Sequence, residues 1–163
     1  MAVTAYVGLG SNLNGPEDQV VQAMEELDGL PGTRCVARSR LYRSAPMGPA
    51  GQPDYINAVA KLETELDPQA LLSALQGIEK AHGRTRSGER WGPRTLDLDI
   101  LLYDDQCVDH PDLRIPHPGI AERAFVLYPL HELAKDMEIP GHGALSELLK
   151  NCSPEGLEPL NDV

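Results

Sequence analysis

Apolar and polar residues alternate at the start of the chain. Val3, Ala5, Val7 and Leu9 occupy every second position of residues 3–9, which predicts a strand with one buried face. Ser11-Asn12-Leu13-Asn14-Gly15-Pro16 reads as a turn, and the Gly8-Leu9-Gly10 before it as a tight strand exit. That glycine pair has neither the lysine of a P-loop nor the third glycine of a dinucleotide fingerprint. Beyond the turn the period changes. Glu17 and Asp18 suit the positive end of a helix, Val20, Val21, Met24 and Leu27 recur at helical spacing, and Gly29 stops the run. Two further strands are predicted over 33–43 and 55–65. Residues 44–54 between them carry three prolines and two glycines, which predicts a mobile loop.

Asp67-Pro68 pairs a capping side chain with a proline suited to the first helical position; Leu71, Leu72, Leu75 and Ile78 form the apolar stripe that follows, and Gly83 ends it. Residues 96–103 (LDLDILLY) are apolar enough for a central strand. The order strand, helix, strand, strand, helix, strand is the split βαβ pattern of ferredoxin-like folds. The expected fold is therefore α+β: a βαββαβ sandwich, an antiparallel sheet with both helices on one face. From Pro116 the tail adds helical segments, broken by Pro118, Pro129 and Pro140. Without an internal repeat or a linker, residues 1–163 are expected to form one domain with the last ten or so frayed.

Composition narrows the function. A chain of 163 residues can bury roughly 70% of its unfolded surface and needs no metal or disulfide staple to fold. The net charge of −11 removes the footprint of a general nucleic-acid or anionic-membrane binder, so any polyanion must be held locally. Cys35, Cys107 and Cys152 have no metal-ligand spacing and read as reduced thiols. With no signal-like start and no apolar run of spanning length, a cytoplasmic location is expected.

The chemistry concentrates in residues 84–103, RTRSGERWGPRTLDLDILLY. In a chain with twelve aspartates an Asp-x-Asp triplet is weak on its own. On a strand, however, Asp97 and Asp99 share a face about 6.6 Å apart while Leu98, Ile100 and Leu102 turn the other way. Like charges so placed require a cation. Magnesium fits, because it takes oxygen ligands and is held by one or two carboxylates plus substrate phosphates; ion pairs with neighbouring arginines also fit. Arg84, Arg86, Arg90 and Arg94 lie within eleven residues and are opposed only by Glu89. Guanidinium groups bind phosphate oxygens bidentately, so arginines leading into paired aspartates suit a metal-bridged polyphosphate. Tyr55 and Asn57 share a strand face that could stack on and hydrogen-bond a flat heterocycle, or simply pack half-buried. His117, between Pro116 and Pro118, could donate to a phosphate.

Gly10-Ser11-Asn12-Leu13, Gln52-Pro53-Asp54-Tyr55-Ile56-Asn57, Arg90-Trp91-Gly92-Pro93-Arg94-Thr95-Leu96-Asp97-Leu98-Asp99, and Pro116-His117-Pro118 with Arg123-Ala124-Phe125 together resemble the 6-hydroxymethyl-7,8-dihydropterin pyrophosphokinase family over residues 3 to 135. The resemblance implies a monomeric ferredoxin-like enzyme of folate biosynthesis that moves the terminal diphosphate of ATP onto the pterin hydroxymethyl group and leaves AMP. It implies that Asp97 and Asp99 bind two magnesium ions, and that Arg84, Arg94, Asp97 and Asp99 form the catalytic group. Tyr55 and Phe125 would enclose the pterin ring, with Asn57 at its edge and Ser44, Ala45, Met47, Trp91 and Asp97 completing the pocket. Gln76, Glu79, Arg84, Arg86, Arg90, Trp91, Arg94, Ile100, Arg114, His117 and Arg123 fall at nucleotide positions. Ala45, Asp112 and Pro118 depart from the pattern, which has proline, arginine and tyrosine there; Arg114, two residues on, could substitute for the cation missing at Asp112.

No residue is singled out as a base, because alcohol attack through a loose transition state needs little early deprotonation. Loops 44–54 and 84–94 are expected to close over the substrates and exclude water. Two rival readings remain. A nucleotidyltransferase also joins Gly-Ser to Asp-x-Asp, but only a short hairpin apart, whereas more than eighty residues separate Ser11 from Asp97. A non-catalytic ferredoxin-like module would have no use for clustered arginines before paired aspartates.

Overall fold

Period-two alternation builds the first strand, β1 (Val3–Ser11), with Ala5, Val7 and Leu9 buried on one side. In helix α1 (Pro16–Asp28) the residues that reach the core are Val20, Ala23, Met24 and Leu27. Val21, expected in that stripe, is 38% exposed, and Ala23 takes its place because positions 20, 23, 24 and 27 line one side of a 3.6-residue turn. Next come β2 (Thr33–Arg38), β3 (Tyr42–Ser44) and β4 (Tyr55–Thr64). Helix α2 (Pro68–Ala81) begins where Asp67 accepts the Ala70 N–H at 2.7 Å, a cap worth about 1 kcal/mol. The first half closes with β5 (Asp97–Tyr103). The computed structural model describes residues 2–11, 16–44, 55–82, 96–117, 120, 123–153 and 157–160. Both loops expected to be mobile, apart from Ser44, lie outside that set.

The C-terminal part adds the hairpin β6 (Val108–His110) and β7 (Leu113–Ile115), helix α3 (Ala124–Leu133), the short pair β8 (Glu138–Ile139) and β9 (Gly143–Ala144), helix α4 (Leu145–Lys150) and β10 (Leu157–Pro159). In the main sheet the strands lie in the order β10, β3, β4, β1, β5, and β2 also pairs with β4; every pairing is antiparallel. One core joins α1 and α2 to the sheet through Leu27, Leu62, Leu71, Leu75 and Leu98. A second core on the other face joins Tyr6, Val59, Leu101 and Leu102 to Val126, Leu127 and Leu130 of α3 and to Leu145 of α4.

The two helices of the βαββαβ unit, α1 and α2, share one face as expected, and α3 and α4 of the C-terminal part cover the opposite one. Several other expectations change. The predicted strand 33–43 is two strands, because Ser39 takes over the ladder between them: its N–H donates to the Val59 carbonyl at 2.9 Å and its hydroxyl accepts the Val59 N–H at 2.9 Å. β5 is not central but the outer strand of the sheet. It is apolar because α2 covers one of its faces and the second core the other. Pro129 does not break α3. A mid-helix proline costs about 3 kcal/mol, while burying Val126, Leu127 and Leu130 contributes about 1.5–3 kcal/mol each. The tail is not frayed at 157–160, since β10 pairs with β3 and the Leu160 N–H donates to the Leu41 carbonyl at 2.8 Å.

Candidate active site

Gly8 and Gly10 lie inside β1, with Gly8 opposite Asp99 on one side and Val59 on the other, and Gly10 opposite Asp97 and Asn57. They are not a strand exit. Tyr42 of β3 extends the second row beyond Asn57. All these residues face the α3 side of the sheet. There the second core covers Tyr6, Val59, Leu101 and Leu102 and reaches over Gly8, where a Cβ would come 3.3 Å from Leu101 Cδ2; where it ends, Gly10 leaves a floor without a side chain between Asp97 and Asn57. A Cβ on Gly10 would come 3.0 Å from Asn57 Nδ2.

Asn57 is buried, and its Oδ1 accepts a 2.6 Å hydrogen bond from the Ser44 hydroxyl. That bond uses the carbonyl end of the amide and turns the NH₂ end toward Gly10 and the floor. Tyr55, half-buried on the same face, is opposite Ser44 in the sheet. Behind this corner Tyr42 donates to Glu132 of α3, and the Arg40 N–H donates to the other Glu132 carboxylate oxygen at 3.1 Å. The two contacts tie α3 to β3.

At the opposite end of the floor the His117 N–H donates to the Leu101 carbonyl at 3.0 Å, laying the chain along β5. Burial pushes the His117 imidazole below its usual range and nearby Arg123 pushes it further, against the pull of Asp99. His117 is therefore uncharged at neutral pH. Arg123 precedes α3 and lies 5.7 Å above the Phe125 ring. Asp99, His117, Arg123 and Phe125 thus meet on the same side as Asp97, Asn57 and Tyr55.

The other expected residues divide. Glu79 is buried, and its Oε2 accepts the Leu98 N–H at 2.8 Å. Ile100 points into the α1–α2 core, away from the aspartates. Gln76 is exposed on α2. Arg114 is exposed on β7 and pairs with Asp109 at 3.6 Å, and Asp112 sits in the turn of that hairpin. Ala45, Met47, Arg84, Arg86, Arg90, Trp91 and Arg94 lie outside the described residues. Sequence reasoning missed the glycine floor and the Glu132 tie. The signal for the floor was present, because Gly10 alternates with the buried Leu9 and so falls on the opposite face of the strand.

The family described as 7,8-dihydro-6-hydroxymethylpterin-pyrophosphokinase matches residues 6–135. A Pseudomonas aeruginosa protein named 2-amino-4-hydroxy-6-hydroxymethyldihydropteridine pyrophosphokinase is 52% identical over 160 residues, covering 98% of each chain. A Haemophilus influenzae protein of the same name is 47% identical over 159 residues, covering 98% of this chain and 99% of its own. The chain belongs to the 7,8-dihydro-6-hydroxymethylpterin-pyrophosphokinase family.

Solved structures show that the fold of this pyrophosphokinase-family chain recurs at low identity. The wild-type Plasmodium falciparum HPPK-DHPS structure with pteroate has a TM-score of 0.73 at 12% identity, over 93% of this chain and 42% of that one. A structure of HPPK-DHPS in complex with substrates has a TM-score of 0.71 at 11% identity, over 92% of this chain and 43% of that one. The pyrophosphokinase chain thus spans under half the length of these structural neighbours. Its donor set fits a hard divalent cation: Asp97 and Asp99 supply carboxylate oxygens on one strand face, the kind of ligand that magnesium takes alongside water and phosphate.

Proposed function

We propose that the chain transfers the diphosphate of ATP to the hydroxymethyl oxygen of 6-hydroxymethyl-7,8-dihydropterin, forming the pterin diphosphate and AMP for folate biosynthesis. The observation that carries this reading is the Asp97–Gly10–Asn57 row, which joins a carboxylate pair to an oriented amide across an open floor, in a chain of this family. The hydroxymethyl oxygen attacks the β-phosphorus, the bond from that phosphorus to the α-phosphate oxygen breaks, and the hydroxyl proton is lost.

Asn57 offers its amide protons to the edge of the pterin, and Tyr55 and Phe125 supply flat apolar surface for its faces. Ser44 holds Asn57, while Ala45, Met47 and Trp91 complete the pocket. Asp97 and Asp99 are the residues that would hold magnesium, which when bound neutralises charge on the phosphate oxygens. Arg84, Arg86, Arg90, Arg94 and Arg123 neutralise the polyphosphate, and uncharged His117 adds a hydrogen bond there. Gln76, Trp91 and Arg114 belong to the nucleotide side, whereas Ile100, buried in the α1–α2 core, backs the strand that carries the aspartates.

The strand order supports reading the fold as a ferredoxin-like βαββαβ sheet extended by β10. We further read residues 1–163 as one monomeric domain working in the cytoplasm. Support for this comes from the −11 net charge; among the described residues no helix is long and apolar enough to cross a membrane.

The test is a product assay with ATP, Mg²⁺ and the pterin. AMP should form in step with pterin diphosphate, cease with EDTA and return with added Mg²⁺. ADP or inorganic pyrophosphate as the nucleotide-derived product would overturn the reading. Asp97→Ala should keep the fold and lower kcat by on the order of 10²–10³.

A further inference from the structure

Among the described residues, Glu79 is the only Asp, Glu, Lys or Arg that is buried, with 3% of its surface exposed. Removing a carboxylate from water is costly unless it is hydrogen-bonded, and Glu79 Oε2 accepts the Leu98 backbone N–H at 2.8 Å. Leu98 is the residue between Asp97 and Asp99. Among the described residues β5 has a strand neighbour on the β1 side alone, and at Leu98 the helix α2 supplies the acceptor that a second neighbouring strand would otherwise provide. α2 is itself held by buried Leu71, Leu75 and Ile78.

We propose that Glu79 is a positioning residue: its carboxylate fixes the Leu98 peptide and so sets the direction and spacing of the Asp97 and Asp99 carboxylates toward the divalent cation. This assigns Glu79 to the strand that carries the aspartates instead of to direct contact with the nucleotide. It rests on the reading that Asp97 and Asp99 hold the metal. Partners that orient metal ligands from behind typically change affinity 10- to 100-fold when lost.

The experiment compares Glu79→Asp, which keeps the charge but loses reach, with Glu79→Gln, which keeps reach but loses the charge. Amide exchange at Leu98 is followed by NMR, and Mg²⁺ affinity by calorimetry with a non-hydrolysable ATP analogue; kcat and the pterin KM are measured in parallel. Glu79→Asp should speed Leu98 exchange, weaken Mg²⁺ binding about tenfold and lower kcat with the pterin KM unchanged. Glu79→Gln, whose neutral amide oxygen accepts the Leu98 N–H more weakly than a carboxylate, should show the same changes to a smaller degree. Unchanged Mg²⁺ affinity in a Glu79→Asp protein that has lost Leu98 protection would overturn the proposal. So would intact Leu98 protection with weaker binding of the metal-free nucleotide analogue. If Glu79→Asp does not fold, Glu79→Gln decides alone: faster Leu98 exchange together with weaker Mg²⁺ binding upholds the proposal, and either change without the other, or neither, overturns it. Asp97→Asn run alongside separates the two readings. Unchanged Mg²⁺ affinity there overturns the metal reading and the proposal with it, whereas weakened affinity there beside an unaffected Glu79→Asp overturns the proposal alone.

Discussion

The Ser44 hydroxyl donates a 2.6 Å hydrogen bond to Asn57 Oδ1, so a side chain on β3 decides which end of a buried amide on β4 faces the open floor. Removing it with Ser44→Ala frees the carboxamide to flip. A lost hydrogen bond of this kind is worth about 1 kcal/mol, so the pterin KM should rise several-fold, with a smaller change in kcat. Calorimetric pterin affinity equal to that of the parent protein would show that Ser44 does not orient Asn57.

Gly10 should tolerate no side chain. The Cβ of Gly10→Ala would press on Asn57 Nδ2 from 3.0 Å and stand in the row between Asn57 and Asp97. The expected result is a loss of pterin affinity of about tenfold or more, with a stability cost of about 1–3 kcal/mol from overpacking. Pterin binding by fluorescence titration and urea unfolding measure the two effects separately, and unaltered binding would mean that the floor is not used.

The last strand should matter more than its position suggests. Leu157 pairs with Ser44, Glu158 with Arg43 and Pro159 with Tyr42. Deleting residues 157–163 leaves β3 without its outer neighbour and should cost about 1–3 kcal/mol, with faster amide exchange confined first to residues 42–44. The Arg43–Glu158 pair is exposed and contributes little to this, so high salt should not reproduce the effect. Unchanged exchange at 42–44 would count against a supporting role.

The three thiols should separate by reactivity. Cys107 is exposed, whereas burial raises the Cys152 thiol above its usual range and also raises Cys35, with Arg38 partly opposing the shift. Alkylation at pH 8 should modify Cys107 first, and the Cys35 and Cys152 rates should keep climbing at higher pH. Both protons are held more tightly in the folded chain. The stability they contribute is present below about pH 8.5 and lost as pH rises through the raised values. Equal labelling of all three thiols at pH 8, read by peptide mass spectrometry, would contradict this.

Much of the fold and of the candidate site is legible in the chain, because the signals are local. Asp67-Pro68 announces the start of α2 through capping chemistry, and the period-two runs of β1, β4 and β5 place Tyr55 with Asn57 and Asp97 with Asp99. These paired faces survive in the structure because alternation along a strand is a property of the backbone itself, whereas Leu102, expected on the face of Leu98 and Ile100, joins Leu101 in the second core because the register shifts opposite Tyr6 and Val7. What failed depended on neighbours. Apolar composition in residues 96–103 reported burial on two faces, which a central strand and a covered outer strand share, so it could not give the position of β5. Pro129 removes one backbone hydrogen bond, a local loss that the burial of Val126, Leu127 and Leu130 outweighs.

By itself, then, the sequence determined the identities and spacing of the reacting groups, the helix starts and the sidedness of each strand, all set by covalent order and backbone period. Tertiary structure alone decided that Gly8 and Gly10 lie inside β1 opposite Asp99 and Asp97 instead of at a strand exit, that Ser44 orients Asn57, and that Glu79 reaches the peptide between the two aspartates. These relations join residues 13 to 91 positions apart. They come from strand register and helix docking, where the burial of many side chains at once fixes which distant groups meet.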